Sequence, residues 1–156
     1  MDVEKMLANI SESELVTTRL SNELLSRSDV IPVLAKALES GPEKRFPALI
    51  ALRYASKALI SELFPVLFDR SLETNGLIGL VHDRIFRLDR SELSELLARN
   101  VEALLSRNDL TWEEYTRVCT LLDIGGFSEL LSRVVEHAAA SGDPDIQEVA
   151  QDYRVG

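Results

Sequence analysis

A single cysteine, Cys119, stands in 156 residues. No internal disulfide can form, and a reducing compartment suits the chain. Aromatic residues make up 6% of the sequence, with one tryptophan, Trp112, and there are two histidines, His82 and His137. Groups able to move protons near neutral pH are therefore scarce. No apolar run approaches the roughly 18 residues of a membrane span. The opening Met1-Asp2-Val3-Glu4-Lys5 is acidic and lacks the long apolar run of a secretory signal. Cytoplasmic residence is the expectation, with no membrane partner. Seven glycines and five prolines are scattered, and no stretch is rich enough in Gly, Ser or Pro to serve as a linker. Residues 1–156 are expected to form a single all-helical domain.

What the chain does have is leucine, alanine and charge. Hydrophobic residues are 46% and charged residues 28%, ordinary for a soluble globular protein. Leu and Ala richness with few glycines favours helix. The net charge of −9 is uneven, at −4 over residues 1–43, +3 over 44–90 and −8 over 91–156. Such asymmetry can orient a molecule on its partner. Thirteen of the seventeen basic residues are arginine, which pairs with carboxylates and phosphates in a fork. No strongly basic stretch is interleaved with aromatics, so nucleic acid is not an expected partner.

Helix signals recur along the chain. Ser11-Glu12-Ser13-Glu14 reads as a capping box, followed by a stripe of Leu15, Thr18, Leu20, Leu24 and Leu25 that ends near Arg27. Ser28-Asp29 offers the next N-cap, with Pro32 in a first turn. Val30, Val33, Leu34, Ala37 and Leu38 are then spaced by three and four as far as Ser40-Gly41. Pro42-Glu43 opens a third helix through Phe46, Leu49, Ile50, Leu52 and Tyr54. Pro65 falls inside an apolar pattern and implies a kink or a helix restarted at Ser61. Asn75-Gly76 is a break. Further helices follow over Leu77–Leu88 and about Glu92 to Ser106. Another stands behind a second capping box, Thr111-Trp112-Glu113-Glu114, and stops at Gly125-Gly126. The last two run from Phe127 to Ser141-Gly142 and on from Asp143-Pro144-Asp145. Nine or ten helices, no strands and short loops are expected.

The sequence also repeats itself. Leu24-Leu25-Ser26-Arg27-Ser28-Asp29-Val30 returns as Leu104-Leu105-Ser106-Arg107-Asn108-Asp109-Leu110, 80 positions later. Glu12, Val16 and Arg19 match Glu92, Leu96 and Arg99 at the same displacement. After a one-residue slip, Phe46, Leu49 and Ile50 face Phe127, Leu130 and Leu131. Two pseudo-repeats, 12–72 and 92–152, describe this pattern. Helical pairs at about 40 residues resemble the HEAT and armadillo class. The runs Phe46-Pro47-Ala48-Leu49-Ile50-Ala51-Leu52-Arg53 and Leu63-Phe64-Pro65-Val66-Leu67 are similar to parts of a HEAT unit, and residues 142–150 resemble another unit's opening. The resemblance implies stacked helical hairpins, an α-solenoid, with an irregular helical bundle as the alternative. The tail Gln151-Asp152-Tyr153-Arg154 would cap the stack. At the other end Val3, Met6, Leu7 and Ile10 are less covered and offer a homodimer contact.

Chemistry-bearing spacings are sparse. Cys119 and His137 lie on consecutive helices, but Cys119 sits in an apolar stripe and behaves there as a small hydrophobe. His82-Asp83 and Glu136-His137 are sequence neighbours, so each pair diverges by about 100° on a helix. No helical face offers two metal ligands by spacing, and the glycine pairs read as helix stops. Catalytic residues, metal and cofactor are all expected to be absent. Arg53 with Lys57, and Arg84 with Arg87, form two basic stripes suited to an acidic peptide. Trp112 and Tyr115, three apart on one helical face, are candidate aromatic anchors. The sequence therefore points to a non-enzymatic interaction module, an adaptor or scaffold that binds another protein or peptide through a groove. The alternative is an acidic inhibitor or immunity-type protein covering a basic site on a toxin or nuclease.

Overall fold

Apolar side chains recurring every three or four positions, broken by caps, Gly and Pro, give helix after helix. The computed structural model describes residues 2–153. In order these are α1 (Val3–Leu25), α2 (Val30–Glu39), α3 (Pro42–Ala51), a 3₁₀ turn (Leu52–Tyr54), α4 (Lys57–Glu62), α5 (Phe64–Ser71), α6 (Ile78–Ile85), α7 (Arg90–Leu105), α8 (Trp112–Ile124), α9 (Ser128–Ala139) and α10 (Pro144–Asp152). Among the described residues the protein is all-α, with ten α-helices and no strand. No described helix is long and apolar enough to cross a membrane. Arg154 of the expected cap lies outside the described residues. The chain divides into two compact units, Met1–Leu63 and Phe64–Gly156.

In the first unit, α3 packs on α2 and on α1. Leu34, Leu38, Leu49 and Leu52 are fully buried there. Arg45 is buried as well: its Nε donates to the Leu38 carbonyl at 2.8 Å and its Nη2 to that of Ser40 at 2.9 Å. A cation thus satisfies the carbonyls orphaned at the end of α2. Helix α1 meets α3 and the 3₁₀ turn, and in its second half Thr17, Thr18, Leu24 and Leu25 are half-buried and Ser21 is buried. Glu14 accepts from Arg53 Nη1 and from the Tyr54 hydroxyl, each at 3.2 Å.

The expected capping box at Ser11 is overturned. Helix α1 runs unbroken from Val3, and Ser11 and Glu14 are interior. With no Gly or Pro before Pro32, a helix once nucleated simply propagates through a local cap signal. Its inner face also differs from the expected stripe. Leu15 and Leu20 are exposed, lying to either side of the face that carries Ser21. The helix does restart near Pro65, but at Phe64 and not at Ser61. Helix α4 ends at Glu62, and α5 begins at Phe64 with Pro65 in its first turn, where a missing N–H costs nothing.

In the second unit α8, α9 and α10 pack mutually, α7 lies against α9, and α5 touches α6, α7 and α8. Phe64, Phe68, Ile85, Leu97 and Leu121 are fully buried. Helix α8 carries a complete capping box: Glu114 N–H donates to Thr111 Oγ1 at 3.3 Å, and Thr111 N–H to Glu114 Oε2 at 3.0 Å. It stops at Gly126, whose φ of 66° only glycine adopts cheaply. The Phe127 N–H there reaches back to the Leu122 carbonyl at 2.8 Å and the Gly126 N–H to that of Asp123 at 2.9 Å, a Schellman closure. Arg90 lies over the Phe127 ring, 3.9 Å from its centroid, and donates to the Gly125 and Gly126 carbonyls.

Candidate protein-binding surfaces

The start of α8 and the outer face of α10 build an open groove in the second unit. Thr111 fixes the first turn of α8 and so places Trp112 at its beginning. On α10, Asp143 accepts from the Asp145 N–H at 2.9 Å and Pro144 occupies the first turn. Asp145, Glu148 and Asp152 then follow at spacings of three and four, on one face. The Tyr153 and Thr120 hydroxyls, 2.7 Å apart, tie the end of α10 to α8. The resulting groove, about 450 Å³, is lined by Trp112, Thr116, Val149 and the three carboxylates. Trp112 is 48% exposed, so an indole face and three acids stand open to solvent together. This set suits an arginine or lysine side chain.

Tyr115 does not join Trp112 at that surface. It is 4% exposed, and its hydroxyl hydrogen-bonds His137 Nδ1 at 2.6 Å, with the rings 6.0 Å apart. Burial raises the Tyr115 hydroxyl pKa. Three positions on a helix differ by about 60°, enough to put one ring inside and its neighbour outside. The basic stripes are also divided. Arg53 is exposed and shared between Glu14 and the Tyr54 ring, and Lys57 is exposed. In the other unit Arg84 is buried at 7% exposure and Arg87 is half-buried.

His137 is paired with Tyr115, and Cys119 is buried with its thiol pushed up to about 12 by burial. A thiol in that state supplies no nucleophile at neutral pH. His82 packs edge-on against Phe86, and burial lowers its pKa. Among the described residues no cluster of His, Cys, Asp or Glu is placed to hold a metal.

A second groove, about 390 Å³, lies between α1 and α3 in the first unit, lined chiefly by Leu20, Leu24, Phe46, Pro47 and Ile50. Sequence reasoning missed it because Leu20 and Phe46 read as core although both are exposed. The acidic face of α10 was legible in the spacing of Asp145, Glu148 and Asp152, but its indole neighbour 33 residues upstream was not. Compared with known proteins, the chain matches no family model, no curated protein and no solved structure.

Proposed function

We propose that the protein is a non-enzymatic binding module that holds a basic segment of another protein in the groove between α8 and α10. One observation carries this reading: a half-exposed Trp112 stands beside Asp145, Glu148 and Asp152 on a single groove. An indole face attracts a cation by about 0.5–1 kcal/mol at an exposed site. Carboxylates accept charge-assisted, bidentate hydrogen bonds from a guanidinium. Tryptophan is among the residues that dominate interface energies. The −8 charge of residues 91–156 would draw such a partner in.

This is the inhibitor or immunity-type reading in general form, an acidic surface covering a basic site. The adaptor reading through the basic stripes has less support, because Arg84 is buried and Arg53 is shared with Glu14. Stacking of helical hairpins in the HEAT manner belongs to the same proposal, since packed hairpins present grooves between alternate helices.

Trp112 is the only tryptophan, so its fluorescence reports the groove directly. Titration with a short arginine-rich peptide is expected to give a saturable emission change. Asp145→Asn, Glu148→Gln and Asp152→Asn together should weaken it at least tenfold. A titration without saturation, or one the triple variant leaves unchanged, overturns the reading.

A further inference from the structure

The first ten residues of α1 carry an apolar face that none of the described residues covers. Residues 2–16 are all exposed, and among them Val3, Met6, Leu7 and Ile10 follow the helical period. Projected along the helix at about 100° per residue, this stripe continues the face of α1 that carries Thr17, Ser21 and Leu24, which line a groove with residues of α3. That groove, with Leu20, Leu24, Phe46 and Ile50 along it, is apolar and open, and Phe46 is 49% exposed. One helix therefore carries both an unburied apolar ridge at its start and an unfilled apolar furrow along its end.

We propose that two copies of this chain pair through antiparallel α1 helices, each laying its Val3–Ile10 ridge into the other's α1/α3 groove. A two-fold axis near Ser13 sets Met6 over Leu20 of the second copy, Ile10 over its Thr17 and Val3 over its Leu24. The ridge and groove lie on the same side of both helices, so one rotation satisfies both at once, the isologous arrangement usual in homodimers. Charge agrees with this register. Lys5, the only basic side chain before Arg19, falls opposite Glu23 of the second copy, and the symmetric pair forms at the other end. A parallel pairing would instead set Lys5 against Lys5 and leave the grooves empty.

The area is sufficient. Five aliphatic side chains and Phe46 from each copy, at roughly 60–120 Å² each, remove on the order of 1,000 Å² from water, where specific interfaces begin. Another protein's helix could fill the groove but would leave the ridge of this chain exposed. A second copy covers both. The contact is made by the first unit alone, so it goes beyond the binding of a basic segment and stands or falls independently of it.

Sedimentation equilibrium of the full chain tests the proposal. A dimer is expected at micromolar concentration, and Leu7→Asp with Ile10→Asp, both at exposed positions, should convert it to a monomer with unchanged helical circular dichroism. Ser13→Cys should give an intermolecular disulfide under mild oxidation and Leu7→Cys should not, because an antiparallel pair brings only positions near its axis against their own copies, whereas a parallel pair would do so for both. Lys5→Glu and Glu23→Lys should each weaken the dimer several-fold, and the double variant should recover it. A wild-type monomer at high micromolar concentration overturns the proposal. So does a dimer indifferent to Leu7→Asp with Ile10→Asp, or one that cross-links through Leu7→Cys and not Ser13→Cys. Peptide binding at Trp112 is measured separately and keeps its own outcome.

Discussion

His82 lies half-buried with its ring 6.0 Å from that of Phe86, and its Nε2 finds no hydrogen-bond partner among the described residues. Burial favours its neutral form and nearby Arg117 adds to this, while Asp83 opposes it. In the unfolded chain it titrates near the ordinary value of 6.5. The unfolded state therefore takes up this proton first as pH falls. His82 contributes fully to stability above about pH 6.5, and that contribution is lost as pH falls through the lower folded value. His82→Leu is expected to flatten the decline in urea midpoint between about pH 7 and 5. An unchanged slope would remove His82 from the account. Single residues also mark the limit of reading by spacing. Trp112 and Tyr115 look equivalent in the sequence, yet one meets solvent and the other His137, because α9 covers only one side of α8.

At the scale of elements, short-range signals succeeded where the hydrogen bonds are themselves local. The repeated Leu-Leu-Ser-Arg-x-Asp ends a helix the same way twice. Ser26 and Ser106 donate their hydroxyls to the carbonyls of Glu23 and Ala103, at 2.8 and 2.7 Å. The N–H groups of Arg27 and Arg107 reach Leu24 and Leu104, and their guanidinium groups bind Asp29 and Asp109 at 2.8 and 3.0 Å. Both carboxyls are held below their ordinary range by these hydrogen bonds. The related Leu130-Leu131-Ser132-Arg133 lacks the acid two residues on and stays helical within α9. Further along, the pairing fails: Phe46 is exposed in mid-helix, while Phe127 is buried under Arg90.

The two capping boxes show the same division. Thr111→Ala is expected to cost about 1 kcal/mol in urea unfolding, as loss of a true N-cap does. Ser11→Ala, at an exposed interior site, should instead gain a few tenths. Equal losses in both would contradict an unbroken α1.

For the whole molecule, the −9 charge and its concentration in residues 91–156 make the two proposed contacts respond oppositely to salt. Raising ionic strength from about 0.1 to 1 M shortens the screening length from about 10 to 3 Å. Peptide binding at Trp112 should fall at least tenfold over that range, while the apolar α1 contact should hold or tighten. Parallel titration and sedimentation at both salts check this, and a common response would mean that the surfaces are not separate. The sequence by itself determined the all-α class, a count of nine or ten helices, most of their ends and the charge asymmetry. All of these follow from propensity, periodicity and hydrogen bonds spanning a few residues. Only the tertiary structure decided which side chains of a helical stripe face inward, that α1 runs through Ser11, and that Trp112 shares a groove with the carboxylates of α10. Those outcomes depend on which helix packs against which, and such contacts join residues far apart in the chain.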